Sequence, residues 1–139
     1  MKVSVVYWSG TGNTQAMAEA VAEGAKSAGA EVELLSVSEA DASVLDSDAL
    51  LMGCPAMGAE ELEESEFEPF FAAIEGKLAG KKIGLFGSYD WGDGEWMRTW
   101  QDRVVSDGGV MITDGVIANN TPDDVAIADC RALGENAAK

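Results

Sequence analysis

The apolar residues of this chain fall into two alternating patterns along most of its length. Short runs rich in β-branched and aromatic residues are typical of buried parallel strands. The chain contains five such runs, at Val3–Tyr7, Glu31–Val37, Ala49–Gly53, Lys81–Tyr89 and Val110–Ala118. The fifth run forms one strand, or two strands if Asp114-Gly115 interrupts it.

Between these runs, apolar residues recur at the spacing of amphipathic helices. Helices are predicted over 13–28, 67–78, 95–107 and 121–138, with a shorter one over 41–45. Thr121 is expected to cap the last helix, with Pro122 at its first position. Trp96 and Trp100 are expected to pack in the core. The alternation predicts an α/β protein, with a doubly wound five-stranded parallel sheet between two layers of helices, in one domain of residues 1–139.

In such a sheet, ligands bind at the carboxyl ends of the strands. The loop after the first strand, Ser9–Thr14, lacks the Lys-Ser/Thr pair of a Walker loop. Gln15 stands where a dinucleotide fingerprint needs a third small residue. Two interpretations remain, a phosphate cradle of hydroxyls and backbone N–H groups, and an ordinary capped turn. A cradle without Lys or Arg would hold its anion by hydrogen bonds and the helix dipole alone.

Two further loops are expected on the same edge of the sheet. After the third strand, GCPAMG places Met57 and Gly58 at a loop tip, which is either a ligand clamp or a plain surface turn. After the fourth strand, GSYDWGDG places Tyr89 and Trp91 among glycines. These two aromatic residues form either a stacking platform for a flat ring or a local hydrophobic cluster. With the cradle, the loops predict a site for a phosphorylated planar ring.

Composition narrows the possible functions. The 25 acidic residues against 9 basic ones give a formal net charge of −16. This charge argues against binding to nucleic acid or to an anionic membrane. It serves either solubility or attraction of a basic partner. The absence of His excludes Ser-His-Asp and Cys-His nucleophiles and histidine metal ligands, and no metal site is expected.

The two cysteines, Cys54 and Cys130, lie far apart and outside any C-x-x-C pair. We expect both to be free thiols in the core, which fits a cytoplasmic protein. The N-terminus lacks the pattern of a signal peptide, and no run approaches the length of a membrane span.

The chain resembles the flavodoxins, in particular the short-chain kind from anaerobic bacteria. The resemblance rests on YWSGTGNT, GCPAMG, EELEESEFEPFF and GKKIGLFGSYDWGDGEWM, in the family's order and spacing over essentially the whole chain. It implies a flavodoxin-like sheet of strand order 2-1-3-4-5 and non-covalently bound FMN as a one-electron carrier.

The resemblance also implies which residues bind FMN. Ser9–Thr14 would hold the phosphate, and the loop 55–60 would wrap one edge and face of the isoalloxazine. Trp91 would stack on the other face. The complete implied set is Trp8, Ser9, Gly10, Thr11, Gly12, Asn13, Thr14, Pro55, Ala56, Met57, Gly58, Ala59, Glu60, Ser88, Tyr89, Asp90, Trp91 and Gly92.

Three polar contacts to the ring are implied in the same way. Backbone amides of 89–92 would meet the pyrimidine edge, and Glu60 would accept a hydrogen bond from the ring N3–H. The Met57-Gly58 peptide would flip on reduction and present its carbonyl to N5, because Gly58 tolerates positive φ.

The implied function is that of a low-potential carrier, which shuttles between semiquinone and hydroquinone to serve redox partner proteins and is not an enzyme. The alternative is an FMN-dependent NAD(P)H or quinone reductase on the same fold, which needs an open pocket beside the ring. A phosphoacceptor signalling domain needs an acidic pair after the first strand, where Trp8-Ser9 stands. A flavin-free interaction module would be colourless when purified.

One residue departs from the family pattern, since relatives usually have Gly where this chain has Asp90. Our hypothesis is that the Asp90 carboxylate lies near the N1–O2 edge of the ring and lowers the second reduction potential. The alternative is that it points into solvent.

The acidic run Glu60–Glu68 borders the proposed flavin edge. It is either a solvated rim or a docking surface for basic redox partners. We expect no nucleic-acid or membrane partner, and we expect a monomer. Asn119 and Asn120 are expected to buttress the Trp91 loop.

Overall fold

A parallel β-sheet forms the middle layer of the structure, a computed structural model that describes residues 1–58 and 60–139. Its strands are β1 (Lys2–Tyr7), β2 (Glu31–Ser36), β3 (Ala49–Gly53), β4 (Lys82–Tyr89), β5 (Val110–Met111) and β6 (Val116–Asn119). They follow the order β2-β1-β3-β4-β5. β5 pairs with the beginning of β4, and β6 pairs with the end of β4. The predicted α/β class and strand order are therefore confirmed.

The fifth position of the sheet is divided between β5 and β6, at the interruption that Asp114-Gly115 suggested. The side chain of Gln101 stabilises the turn between β5 and β6. Its Oε1 accepts from the Gly115 N–H at 3.0 Å, and its amide donates to the Asp114 carboxylate at 3.3 Å. Both short strands still run parallel to β4. The loop that follows β6 is thereby brought beside the end of β4.

Helices cover both faces of the sheet. They are α1 (Asn13–Ser27), α2 (Phe67–Ile74), α3 (Glu95–Ser106) and α4 (Asp124–Ala137). Side chains alternate across each strand, so Val3 and Val5 pack towards α1 and α4, whereas Val6 packs towards α2 and α3. The predicted three-layer arrangement follows from this alternation.

The core between the sheet and α2 and α3 is aromatic. Trp96 and Trp100 are buried there as predicted, and the Trp100 ring meets Phe67 edge to face at a centroid distance of 5.3 Å. Phe70 lies at the margin of this core and is only partly buried. The rigid aromatic core fixes α3, whose N-terminal end borders the site described below.

Two helix predictions need correction. The segment expected as a helix at 41–45 is a 3₁₀ turn, Ala42–Asp46, in which the Asp41 side chain takes up the Ser43 N–H and competes with helical bonding. The last helix begins at Asp124 and not at Thr121. Its cap is Asp123, whose carboxylate accepts from the Ala126 N–H at 2.8 Å, a stronger acceptor than the threonine hydroxyl.

Helices α1 and α4 approach closely where a glycine on each helix lies against the backbone of the other. A Cβ on Gly134 would overlap the Val21 carbonyl and come within 2.8 Å of the Ala25 nitrogen. A Cβ on Gly24 would similarly overlap the Arg131 carbonyl. Glycine is needed at this crossing because backbone atoms cannot move aside as a flexible side chain can.

Replacing Gly134 by alanine should destabilise the protein by up to about 2 kcal/mol. Alanine gains about 1 kcal/mol of helix propensity, but overpacking against backbone costs about 1–3 kcal/mol. Urea unfolding measures the change. The control is Gly76→Ala, at a glycine with open space around it, which should be neutral or stabilising. Equal stability of both variants would contradict the tight crossing.

Within residues 1–58 and 60–139, no helix has the length and apolar character that crossing a membrane requires.

Candidate functional site

The loops after β1, β3 and β4 meet in one cleft at the carboxyl edge of the sheet. The cleft has a volume of about 230 Å³. It is lined by Trp8, Ser9, Gly10, Thr11, Asn13, Thr14, Pro55, Ala56, Met57, Ser88, Tyr89, Asp90 and Asn120. The structure therefore brings together side chains that lie up to 112 positions apart in the chain, from Trp8 to Asn120. Asn120 was not among the predicted cofactor-binding residues.

The Ser9–Thr14 loop is shaped by its own hydroxyl groups. Ser9 Oγ accepts from the Gly12 N–H at 3.0 Å, and Thr11 Oγ1 accepts from the Asn13 N–H at 3.4 Å. Gly12 has a φ of 93°, which favours glycine, and it stands at the start of α1 without a side-chain cap. As both hydroxyls act here as acceptors, each keeps its own hydrogen to donate to a ligand.

The first turn of α1 offers further donors to the cleft. In the part of the chain that the structure describes, the N–H groups of Thr14 and Gln15 have no protein acceptor. The positive end of the helix dipole lies at the same place. No Lys or Arg occurs among the described residues that line the cleft. The loop therefore has the donors that an anion site requires, and all of them are uncharged.

The Thr14 side chain contacts the neighbouring strand at the bottom of the cleft. Its hydroxyl is buried and lies 3.2 Å from the hydroxyl of Ser88 at the end of β4. This pair joins the start of α1 to the neighbouring strand. The prediction that Thr14 is a direct phosphate donor is untested, and in the structure its hydroxyl is already shared with Ser88.

The loop after β3 turns back on itself at Met57. The Met57 N–H donates to the Glu61 carbonyl at 2.8 Å, and the Met57 carbonyl accepts from the Glu61 N–H at 2.9 Å. Met57 lies at the lip of the cleft and is 38% exposed. The predicted flip of the Met57-Gly58 peptide would break the second bond. It therefore stays a prediction with an identified cost of about 1 kcal/mol.

Glu60 connects this loop to α3. Its Oε2 accepts from the Trp96 N–H at 2.9 Å, whereas Oε1 is buried and has no partner among the described residues. Glu60 also has a φ of 60°, in the left-handed region that residues with a Cβ rarely adopt. A buried carboxylate oxygen without a donor is costly, which indicates that a donor from outside the protein completes it.

The loop after β4 is hydrogen-bonded to the end of β6 and the residue that follows it. The Asn120 N–H donates to the Tyr89 carbonyl at 2.6 Å, and the Asn119 amide lies 3.4 Å from the carbonyls of Tyr89 and Asp90. The expected buttress of this loop is thus present in the structure. The Tyr89 ring packs against Trp96 at a centroid distance of 5.5 Å, so that one wall of the cleft is anchored in the core.

Some predicted residues do not line the cleft. Trp91 is 61% exposed and stands outside it, and Gly12, Gly58, Glu60 and Gly92 also lie outside the lining. Ala59 falls outside the described residues. The predicted stacking of Trp91 on a ring remains a prediction.

Glu63, in the acidic run next to the site, is a buried residue. Glu63 accepts from three backbone N–H groups, those of Ser65, Glu66 and Phe67, at 2.7–3.0 Å. Burial raises the pKa of Glu63, but the bonds from Phe67, Glu66 and Ser65 together outweigh it and leave the pKa below its usual 4.5. Glu63 therefore organises the entrance to α2.

Replacing Glu63 by alanine should cost about 1–3 kcal/mol of stability at neutral pH, since three backbone donors, that of Phe67 buried and those of Ser65 and Glu66 part-buried, lose their acceptor. Because the folded-state pKa is lowered, the stabilisation is present above pH 4.5 and is lost as the pH falls through the lowered value. Urea unfolding from pH 7 to pH 3 tests both points. The exposed neighbour Glu64→Ala is the control, and similar curves for the two variants would contradict this role.

The remaining glutamates of the run differ in their roles. Glu68 forms a two-fold hydrogen bond with Arg103, which also binds Glu75 and lies 4.7 Å above the Phe71 ring. Glu61, Glu64 and Glu66 are exposed. Only part of the acidic run is thus available to meet another molecule.

Both cysteines are buried free thiols, as expected. Burial raises the pKa of each thiol to about 12, so neither is a thiolate at neutral pH. Among the described residues, no group of His, Cys, Asp or Glu is arranged to hold a metal ion.

An open α/β sheet with an uncharged anion loop and aromatic residues at its carboxyl edge defines a nucleotide-binding protein of the doubly wound class. A family model described as flavodoxin matches residues 5–134. The chain is 50% identical to the flavodoxin of Megasphaera elsdenii over 138 residues, 99% of this chain and 98% of the relative. It is 47% identical to that of Clostridium beijerinckii over 137 residues, 98% and 99% of the two chains.

Solved structures agree with the sequence matches. The solution structure of two-electron reduced Megasphaera elsdenii flavodoxin aligns with a TM-score of 0.90 at 50% identity, covering 98% of both chains. A flavodoxin from the domain Archaea aligns at 0.88 with 29% identity, covering 99% of this chain and 96% of that one. The chain belongs to the flavodoxin family, and it is an FMN-binding electron-transfer protein.

The site has the groups that FMN requires. The uncharged donors of Ser9–Thr14 and the first turn of α1 suit a phosphate. Outside the lining of the cleft, the Oε1 of Glu60 has no partner among the described residues and could accept from a ring N–H. Tyr89 and Met57 supply apolar surface at the cleft. The reductase alternative is not favoured by the family to which the chain belongs.

Proposed function

We propose that the protein is a low-potential carrier that holds FMN between the three loops of the cleft and exchanges electrons with basic partner proteins. The convergence of the β1, β3 and β4 loops on one cleft is the observation that carries this proposal. Bound FMN supplies the chemistry itself, because it accepts and releases electrons one at a time. The protein residues bind it, orient it and set the charge around it.

The predicted binding set divides by task. Trp8 and Ser9–Thr14 would bind the phosphate end, with N–H groups that the fold leaves without protein acceptors. Residues 55–60 would cover one side of the ring. Residues 88–92 would cover the other side and its polar edge. The lining of the cleft supports most of this set, and Trp91 would have to move inward from its exposed position.

The charge distribution supports a low potential. An exposed carboxylate about 10 Å from the ring contributes only ~0.4 kcal/mol in water, or less than ~20 mV for one electron. The lack of any Lys or Arg in the described lining of the cleft should weigh more. A negative charge that develops in an apolar cleft without a cation is poorly solvated.

The proposed docking surface consists of Glu61, Glu64 and Glu66, the exposed carboxylates of the acidic run. They lie on the segment that leads from the Met57 loop to α2, so a basic partner bound there would be near the cleft. Exposed charges steer encounter more than they tighten a complex. Electron transfer to such a partner should therefore slow markedly as salt is added.

Three further properties belong to the same proposal. Residues 1–139 act as one domain, because one sheet with its two helical layers includes all the described helices and strands. The molecule is a monomer, since its net charge of −16 disfavours self-association. Its two buried free thiols fit a cytoplasmic location.

A redox titration of the purified FMN-loaded protein, followed by absorbance, tests the proposed function. Two separate one-electron steps are expected, with the second at low potential. A single two-electron step would reject the carrier. Rapid oxidation of NADPH by the protein alone would instead support the reductase.

The same titration tests the hypothesis for Asp90, which lies at the lining of the cleft but is exposed. Removing its charge in Asp90→Asn should raise the second potential by about 20–40 mV, the range for one carboxylate at 5–10 Å in water before screening. The FMN-loaded wild type measured in parallel is the reference. An unchanged or lowered second potential would show that Asp90 acts as a solvent-facing charge.

A further inference from the structure

The carboxylate of Asp90 is bonded to the backbone of its own loop. Its Oδ1 accepts from the Trp91 N–H at 2.8 Å. Asp90 is the first residue after β4, and it lines the cleft although it is an exposed residue. A short acidic side chain that takes up a nearby backbone donor removes this donor from other partners.

The peptide unit between Asp90 and Trp91 is held at both of its polar groups. Its carbonyl faces the Asn119 amide at 3.4 Å, and its N–H meets the Asp90 carboxylate. In a trans peptide the two groups point in opposite directions. The peptide before it is held as well, because the Tyr89 carbonyl accepts from the Asn120 N–H at 2.6 Å. With its carbonyl turned towards β6, the Asp90–Trp91 peptide directs its N–H away from β6.

We propose that Asp90 is an internal competitor of FMN for the Trp91 N–H. This inference rests on the proposed function, in which amides of 89–92 meet the carbonyl edge of the ring. A ring carbonyl is a neutral acceptor, whereas Asp90 is a charged one and forms the stronger hydrogen bond. FMN must therefore displace the carboxylate to reach this donor, so that Asp90 lowers the affinity of the site for FMN.

Two substitutions separate the hydrogen bond from the charge. Asp90→Ala removes both the acceptor and the charge, and Asp90→Asn removes the charge but keeps an oxygen that accepts from the Trp91 N–H. The FMN dissociation constant, measured by quenching of flavin fluorescence, should be about tenfold lower in Asp90→Ala, the size expected for one hydrogen bond to a charged group. Asp90→Asn should fall between this variant and the wild type.

The control is Asp93→Ala in the same loop. The Asp93 carboxylate is exposed and pairs with Arg98 at 2.9 Å, so it has no loop amide to release. Its FMN affinity should stay within about twofold of the wild type, as expected for an exposed ion pair. A gain equal to that of Asp90→Ala would show that any negative charge in this loop acts alike, which would overturn the proposal.

Hydrogen exchange gives a readout that does not depend on FMN. In the FMN-free protein, the Trp91 amide should exchange faster in Asp90→Ala than in the wild type, because its acceptor is lost. Equal exchange rates would show that the bond is absent in solution and would overturn the proposal. So would an FMN affinity of Asp90→Ala that is no higher than that of Asp90→Asn or of the wild type. A wild type that does not bind FMN would overturn the proposed function as well.

Discussion

Replacing Gly92 by alanine is expected to weaken FMN binding by about 10- to 150-fold. A Cβ at this position would overlap the Glu60 Oε1 and lie 2.7 Å from its Cδ. Gly92 also has a φ of 89°, where alanine is strained by about 1–2 kcal/mol. Displacing Glu60 would in addition deprive the Trp96 N–H of its acceptor, at a cost of about 1–3 kcal/mol. These costs lower stability. FMN affinity falls for a separate reason, because a displaced Glu60 can no longer accept from the ring N–H, and losing one hydrogen bond to a charged group, about 1.5–3 kcal/mol, corresponds to about 10- to 150-fold in affinity.

The neighbouring Gly94 provides the matched control for this substitution. Its φ of 91° makes alanine equally strained, but a Cβ there would meet Ile117 at 3.2 Å and would not touch Glu60. Gly94→Ala should therefore lose stability but retain most of its FMN affinity. Both quantities are measured by fluorescence titration and urea unfolding. Equal FMN affinities of the two variants would mean that backbone strain alone, and not the position of Glu60, is what matters at Gly92.

Replacing Glu60 by glutamine is the second substitution with a large expected effect, a loss of FMN affinity of about 5- to 150-fold. The glutamine oxygen would still accept from the Trp96 N–H, and its NH₂ group would then face the ring N–H, so that two donors meet. In the FMN-free protein the effect should reverse in sign. The unpartnered Oε1 is a buried charged oxygen, so its loss should leave stability unchanged or increased.

This opposite behaviour distinguishes a binding residue from a structural one. If Glu60 had only a structural role, its substitution would lower the stability of the protein whether or not FMN is present. The exposed neighbour Glu61→Gln serves as the control and should change neither quantity by much. A Glu60→Gln variant that binds FMN as tightly as the wild type would show that Oε1 does not face a ring donor.

Much of the fold can be predicted from the sequence, because burial on both faces of the central strands and the helical spacing between them are local patterns. Val3–Tyr7 and Ala49–Gly53 appear as apolar runs for this reason. The loop Ser9–Thr14 and the helix that it opens can also be predicted, since its hydroxyls, its glycines and the following helix are adjacent in the chain. The correct choice of Trp96 and Trp100 as core residues depends on the same periodicity.

Features that depend on contacts between distant segments could not be predicted in this way. Nothing in the sequence of the acidic run distinguishes Glu63 from its exposed neighbours, although Glu63 is a buried residue and accepts from three backbone N–H groups. Asn120 reaches the cleft only because β6 pairs with β4, a register that the broken fifth run does not reveal. The bond between Asp90 and Trp91 depends on how β6 orients the loop. The cap of α4 was misplaced because Thr121 and Asp123 are both good caps.

A crystal structure of the protein grown with excess FMN tests the central claim most directly. The account predicts density for one FMN in the cleft. Its phosphate should lie within hydrogen-bond distance of the Ser9–Thr14 loop and the first turn of α1, with no Lys or Arg beside it. The account also predicts that Glu60 Oε1 has acquired a donor from the ring. An empty cleft, or an FMN phosphate held elsewhere by a basic side chain, would contradict it.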